Sequence, residues 1–279
     1  MSSETSIALT PTVPIPDHLT GEIRSKLAYV DEAIARAEVG PGQIILHLRP
    51  EALPLPAERQ AALEEKVQRI VLSMAKGAIK LKVQVLEDHL DRPVTYHSDP
   101  TPELIRLGEI SQESLGIYTL GPLLSRLIAY FERHFVDLAD SFGAAPHRFP
   151  PLIPANYLQR VGYFSAFPHS LTFATHLRED LDAIDQFAQH ASCDDHGLNT
   201  PPESFAKIQA LLSPAVCYHL YFALADKPLP DGQVIATAVG NCCRYEAINL
   251  GSLERLWNFT MREIIFVGSK DFVLSNREI

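Results

Sequence analysis

A chain of 279 residues is long enough for one large domain or for two modest ones, each with its own core. Hydrophobic residues make up 46% and charged residues 21%, the balance of a globular protein. The 34 acidic against 24 basic side chains, a formal charge of −10, argue against a polyanion binder. No apolar run reaches the roughly 18–20 residues of a spanning helix, and the opening MSSETSIALTPTVPIPDHL lacks the basic stretch and apolar core of a signal peptide. Cys193, Cys217, Cys242 and Cys243 make no disulfide framework in a chain this long, so a reduced, cytoplasmic setting is expected.

Residues 1–17 are polar and proline-containing and read as disordered. From 18 to 39, Leu19, Ile23, Leu27, Val30 and Ile34 recur at helical spacing, and Gly40-Pro41-Gly42 ends the pattern. Residues 43–48 (QIILHL) read as a short buried strand. Residues 57–75 form an amphipathic helix with Leu63, Val67, Ile70, Val71 and Met74 on one stripe. The alternation IKLKVQVL over 79–86 predicts a half-buried strand, and 94–97 a further one. Residues 18–100 are thus a small α/β domain with no assigned role. Residues 1–100 carry 11 basic and 14 acidic side chains, which is not a nucleic-acid-binding arm.

Ser98-Asp99-Pro100-Thr101-Pro102 marks a boundary, and 101–279 is read as a second domain. Residues 117–120 lead through Gly121-Pro122 into a long helix to 141, with Leu124, Leu127, Ile128, Phe131, Phe135 and Leu138 expected inward. An extended HRFPPLI segment follows, then short helices at 155–161 and 177–190, a strand at 207–212 and a helix at 214–225. Two final strands, 233–245 and 256–267, are joined by a loop at 246–255.

That last pair concentrates the chemistry. Alternation puts Arg244 and Glu246 on one face of the first strand, and Arg255, Trp257, Phe259, Met261 and Glu263 on one face of the second. Paired as a hairpin, they gather two arginines, an aromatic ring and two carboxylates. Arginine suits phosphate because its planar fork donates two hydrogen bonds and keeps its charge. An aromatic ring offers a purine a stacking surface. The same alternation also fits a solvent-facing hairpin laced with ion pairs. Cys217, on an apolar helix, reads from its surroundings as a packed core cysteine. Cys193-Asp194-Asp195-His196, with His190 upstream, lacks a recognised metal spacing.

The order strand, Arg-x-Glu, loop, Arg-x3-Phe-x3-Glu, strand resembles the second signature motif of class II aminoacyl-tRNA synthetases. Within that class it is most similar to the seryl-type relatives that act as amino acid:[carrier protein] ligases. The supporting residues are Phe149-Pro150-Pro151-Leu152-Ile153, Gly162-Tyr163-Phe164-Ser165-Ala166-Phe167-Pro168, Leu212-Ser213-Pro214-Ala215-Val216-Cys217-Tyr218, Cys243-Arg244-Tyr245-Glu246 and Phe259-Thr260-Met261-Arg262-Glu263, in the family's order. The resemblance implies an antiparallel sheet flanked by helices (an α/β, or α+β, class II fold) preceded by the small α/β domain. It also implies ATP-dependent amino-acid activation to an aminoacyl-adenylate, followed by attack of a carrier protein's phosphopantetheine thiol. By resemblance Arg244 holds the α-phosphate, Glu246 contacts the adenine amino group, Arg255 the distal phosphates, and Phe259 stacks on adenine. Mg2+ bridges the phosphates. Cys217 and Glu263 match two of three zinc ligands that grip the substrate amino group. Pro150 and Pro151 sit where the first motif builds a homodimer interface.

The family's third motif, a glycine-rich strand and helix with an arginine for the γ-phosphate, has no counterpart before residue 279, and the third zinc ligand belongs beyond that point. The catalytic fold is therefore expected to be C-terminally incomplete. Three functions follow from the resemblance. The first is a ligase for a small, glycine- or alanine-like amino acid, completed by another part. The second is a catalytically incomplete paralogue acting as a nucleotide, amino-acid or carrier-protein binding module. The third, a tRNA-charging enzyme, fits least with the acidic charge and the lack of a coiled-coil arm.

Overall fold

The structure is a computed structural model that describes residues 6–77, 98–195, 197–250 and 253–277, with isolated positions between 85 and 95. The chain divides into two compact units: Met1–Pro102 with Glu246–Arg255, and Glu103–Tyr245 with Leu256–Ile279. The strands expected at 79–86 and 94–97 fall outside the described residues apart from 85 and 95.

In the first unit, β1 (Ser6–Leu9) corrects the expectation of a disordered start. Ile7 and Leu9 are buried while Ser6 and Ala8 face out, and the strand pairs antiparallel with a distant segment from Ser6↔His47 to Leu9↔Ile44. The polar composition concealed two apolar side chains whose partners lie far along the chain. Helix α1 (Thr20–Leu27) buries Ile23 and Leu27 as the spacing predicts, but the helix ends there. Asp31 accepts the N–H of Ala33 at 2.9 Å in a tight turn, and Ile34, expected on the helix, opens β2 (Ile34–Val39). Strand β3 (Ile44–Leu48) is central in the order β1-β3-β2. Helix α2 (Ala57–Lys76) adds Leu63, Val67 and Val71 to the core.

The second unit opens from α3 (Thr101–Arg106) into the hairpin β4 (Ile110–Ser114) and β5 (Ile117–Leu120). Gly121 then starts α4 (Pro122–Ser141). A Cβ there would lie 2.6 Å from Glu109 Oε2 and 2.8 Å from Glu109 Cα. That carboxylate accepts the N–H of Leu123 at 2.8 Å and so caps the helix. Leu127, Ile128, Phe131, Phe135 and Leu138, expected inward, are instead 47–50% exposed. The helix meets the rest of its unit through Ala139, Glu132 and its C-terminal end, where Phe142 lies edge-on to Phe266, their centroids 5.3 Å apart. Helical periodicity located an apolar face without saying what covers it.

Next come β6 (Ala145–His147), β7 (Leu152–Pro154), α5 (Ala155–Arg160), α6 (Tyr163–Ala166), β8 (Phe173–Ala174), α7 (Leu181–His190), β9 (Ser192–Asp194), β10 (Gly197–Asn199), β11 (Ala210–Leu212) and α8 (Cys217–Leu224). Asp180 caps α7 by accepting the N–H of Ala183, and that bond holds its carboxyl below the ordinary carboxylate range. The last elements are β12 (Val234–Cys243), β13 (Asn258–Val267) and α9 (Lys270–Arg277). Strands β12 and β13 pair antiparallel over ten residues, from Val234↔Val267 to Cys243↔Asn258, and β6 adds in parallel on the other side of β12. Helices flank antiparallel strands, as expected for an α/β class II arrangement.

Candidate active site

The β12–β13 ribbon has two faces because side chains alternate. On one face Ala236, Ala238 and Cys242 of β12 share a surface with Phe259, Met261 and Ile265 of β13, and α8 with Phe149 packs on it through Val216, Cys217 and Leu220. Glu263, paired with Ala238, belongs to this face. The Cys217 thiol lies beside the Glu263 carboxylate and the Tyr221 hydroxyl. Burial first, then the neighbouring negative charge of Glu263, pushes that thiol up to about 12. Cys242 is pushed up to about 11, again by burial first and then by Glu263.

The sequence placed Arg244, Glu246, Arg255 and Trp257 on the strands, yet the ladder runs only from Asn258 back to Cys243. All four lie beyond it, so alternation does not set their direction. Arg244 donates its N–H to the Trp257 carbonyl at 2.9 Å and its Nε to the Pro214 carbonyl at 2.8 Å. Its guanidinium carbon lies 5.4 Å from the centre of the Phe259 ring. Among the described residues it has no carboxylate partner. A fixed, half-buried guanidinium without a counter-charge is chemically suited to an anion.

The structure thus brings Arg244 to Phe259 and Cys217 to Glu263. It pairs Arg255 Nη1 with Glu246 Oε2 at 3.0 Å within the 246–255 segment, which groups with the other compact unit. For zinc, Cys217 and Glu263 are reasonable donors, but a zinc site needs three protein ligands or more. No group of three potential donors occurs among the described residues, so the residues in hand do not complete such a site. Cys193 is exposed, Asp194 accepts from Asn199 at 2.7 Å, and His196 lies outside the described residues.

Sequence reasoning missed an aromatic and hydroxyl cluster beside Arg244. Trp257 Nε1 donates to Thr172 Oγ1 at 2.8 Å, and the indole meets Tyr245 edge-on, with centroids 4.9 Å apart. The Tyr245 N–H donates to the Ser170 carbonyl, and Ser170 Oγ lies 3.0 Å from the Tyr163 hydroxyl. Tyr163 in turn meets Tyr218 edge-on; burial first, then Tyr163, raises the Tyr218 phenol. The signal lay in the GYFSAFPHS stretch, whose tyrosine and serine are seven residues apart and meet through two turns of helix. The Trp257 bond ties the loop at Thr172 to the residue preceding β13, and the Tyr245 bond ties Ser170 to the residue after Arg244.

No protein-family model matches the chain. Among curated proteins it is 36% identical over 132 residues to amino acid–[acyl-carrier-protein] ligase 2 of Bradyrhizobium diazoefficiens, a match covering 47% of this chain and 38% of the relative. Ligase 1 of the same organism is 31% identical over 186 residues, 65% of this chain and 54% of the relative. The seryl-tRNA synthetase of M. kandleri, solved in complex with A. aeolicus tRNASec, superposes with a TM-score of 0.65 at 19% identity, covering 98% of this chain and 53% of that one. The chain therefore spans about half the length, or less, of the proteins it matches. The chain is homologous over part of its length to the amino acid–[acyl-carrier-protein] ligases and has the class II fold of seryl-tRNA synthetase.

Proposed function

We propose that this protein takes part in ATP-dependent activation of a small amino acid to its adenylate and in transfer of the aminoacyl group to the phosphopantetheine thiol of a carrier protein. The observation that carries the proposal is Arg244: immobilised by the Pro214 carbonyl, set over Phe259 and free of a carboxylate partner among the described residues. In the first step the amino-acid carboxylate attacks the α-phosphorus and pyrophosphate leaves. Charge grows on the α-phosphate oxygens, and a preorganised guanidinium stabilises it without reorientation. Phe259 stacks on adenine, Glu246 accepts from the adenine amino group and Arg255 holds the distal phosphates. The last two roles require their mutual ion pair to open. Mg2+ carried in with ATP would neutralise phosphate charge. In the second step the thiol sulfur attacks the adenylate carbonyl and AMP leaves.

Cys217 and Glu263 are assigned to the amino-acid end. The partner across α4 is assigned as a second copy of the chain, because Leu127, Phe131 and Phe135 form an exposed apolar stripe on the helix of the first motif.

Charging of a tRNA is favoured by one observation: the seryl-tRNA synthetase solved with tRNA matches 98% of the chain, the N-terminal unit included. Sequence identities of 36% and 31% to carrier-protein ligases weigh the other way. Amino-acid-dependent ATP–pyrophosphate exchange tests activation, and radiolabelled transfer to phosphopantetheinylated carrier protein against tRNA tests the acceptor. ATP binding without exchange for any small amino acid would instead support the incomplete, non-catalytic binding module.

A further inference from the structure

Opposite the Arg244 face, the β12–β13 ribbon carries Arg262 and Thr237. Strand register places Arg262 across from Val239, so its side chain leaves the sheet on the side opposite Glu263. There the guanidinium forks onto Glu132 of α4: Nε lies 3.0 Å from each carboxylate oxygen and Nη2 closes on Oε1. Its remaining arm, Nη1, donates to Thr237 Oγ1 at 2.8 Å. Thr237, itself only 4% exposed, donates onward from that hydroxyl to the backbone carbonyl of Glu263 at 2.9 Å.

Four groups thus form one directed chain: Glu132 carboxylate, Arg262 guanidinium, Thr237 hydroxyl, Glu263 carbonyl. All three guanidinium nitrogens donate within it, and the Arg262 side chain is 13% exposed. Lysine could not replace this arginine, since a single ammonium on a flexible stem cannot fork onto a carboxylate while also reaching Thr237. The chain ends on the backbone of the residue whose side chain lies on the other face of the ribbon, the face on which Cys217 packs. A shift of α4 against the sheet would therefore be felt at Glu263.

We propose that Arg262 is a positioning residue, which holds the Glu263 end of β13 against Cys217 by anchoring it through Thr237 and Glu132 to the exposed helix α4. The proposal rests on the functional reading above and names a device that serves only the amino-acid end of that site. Arg244 and Phe259 lie further along the strand towards the loop, outside the chain of bonds.

The test uses the full chain with three alterations: Arg262→Lys, Thr237→Val, and the exchange Glu132→Arg with Arg262→Glu. In ATP–pyrophosphate exchange, Arg262→Lys and Thr237→Val should raise the amino-acid KM at least fivefold and leave the ATP KM within twofold. The exchanged pair restores an ion pair but not the bond to Thr237. It should recover the melting temperature without recovering the amino-acid KM. Recovery of both would reduce Arg262 to a structural anchor and overturn the proposal. Hydrogen exchange keeps the claim testable without turnover, and a parent chain with no pyrophosphate exchange would count against the functional reading alone. Faster amide exchange over 258–267 in Arg262→Lys, at an unchanged melting temperature, supports positioning. Unchanged amide exchange in that segment overturns it.

Discussion

The two faces of the β12–β13 ribbon are built from the same alternating strands yet treat charge in opposite ways. On the α4 face Arg262 is neutralised by Glu132 and also donates to Thr237. On the α8 face Glu263 has no ion-pair partner among the described residues, and the nearby Arg244 rests on an aromatic ring and a carbonyl. A saturated ion pair has little left to offer a ligand, whereas a guanidinium and a carboxylate kept apart in half-buried surroundings each retain bonding capacity. The difference teaches where to look for chemistry: at the charges the fold leaves unmatched, rather than at the densest cluster of charges.

The sharpest way to break this contrast is to remove the unmatched cation. Arg244→Ala should lower the rate of ATP–pyrophosphate exchange by about a hundredfold, and the double change Arg244→Ala with Arg255→Ala should abolish ATP binding measured by calorimetry. Retained binding in the double variant would show that Arg244 is as structural as Arg262. Next in size is the outer side of α4. Phe131→Asp places a charge in the exposed apolar stripe and should give a monomer by sedimentation at micromolar concentrations at which the parent is expected to sediment as a dimer. Its melting temperature should stay close to that of the monomeric parent, because Phe131 is already 47% exposed within one chain.

Much of this was legible in the sequence, and the part that was not has a physical cause. Long periodic segments were readable: 57–76 as a helix burying Leu63, Val67 and Val71, and the hairpin of 234–243 with 258–267. Short elements held by distant partners were not. Ser6–Leu9 is a strand because of Ile44–Leu48, which local composition does not reveal. Alternation also outran the ladder: it assigned faces to Arg244 and Arg255, although both lie past the last paired residues, where loop hydrogen bonds decide direction. The pairing of Cys217 with Glu263 came from resemblance, since no spacing rule joins residues on a helix and on a strand.

Smaller effects sharpen the comparison. Gly121→Ala must push against the Glu109 backbone as well as its flexible carboxylate, so it should cost about 1–3 kcal/mol in urea unfolding, with Glu109→Ala costing less. Trp257→Phe keeps the ring beside Tyr245 but leaves Thr172 without its donor, and about 1 kcal/mol should be lost. The loss should be smaller when Thr172→Ala is already present. Full additivity of the two changes would show that the indole bond does not tie the 172 loop to β13.

The smallest expected effect concerns His219, on the side of α8 facing Phe149. Its ring lies nearly parallel to Phe149, with centroids 5.5 Å apart, and Nε2 is buried without a hydrogen-bond partner among the described residues. Burial holds its pKa below the ordinary value of 6.5, partly offset by a bond to the Pro150 carbonyl. The folded state therefore favours the neutral ring, while the unfolded chain takes up a proton more readily. The stability tied to neutral His219 is fully present above about pH 6.5 and is lost as the pH falls through the lower, folded value. Between pH 7 and 5.5 the parent's urea midpoint should decline more than that of His219→Phe, which keeps the stacking and cannot titrate. Equal declines would mean that the acid sensitivity of the second unit arises elsewhere. A steeper parent curve would place one further unmatched polar group on the α8 side of the ribbon, the side where Arg244 and Glu263 already stand.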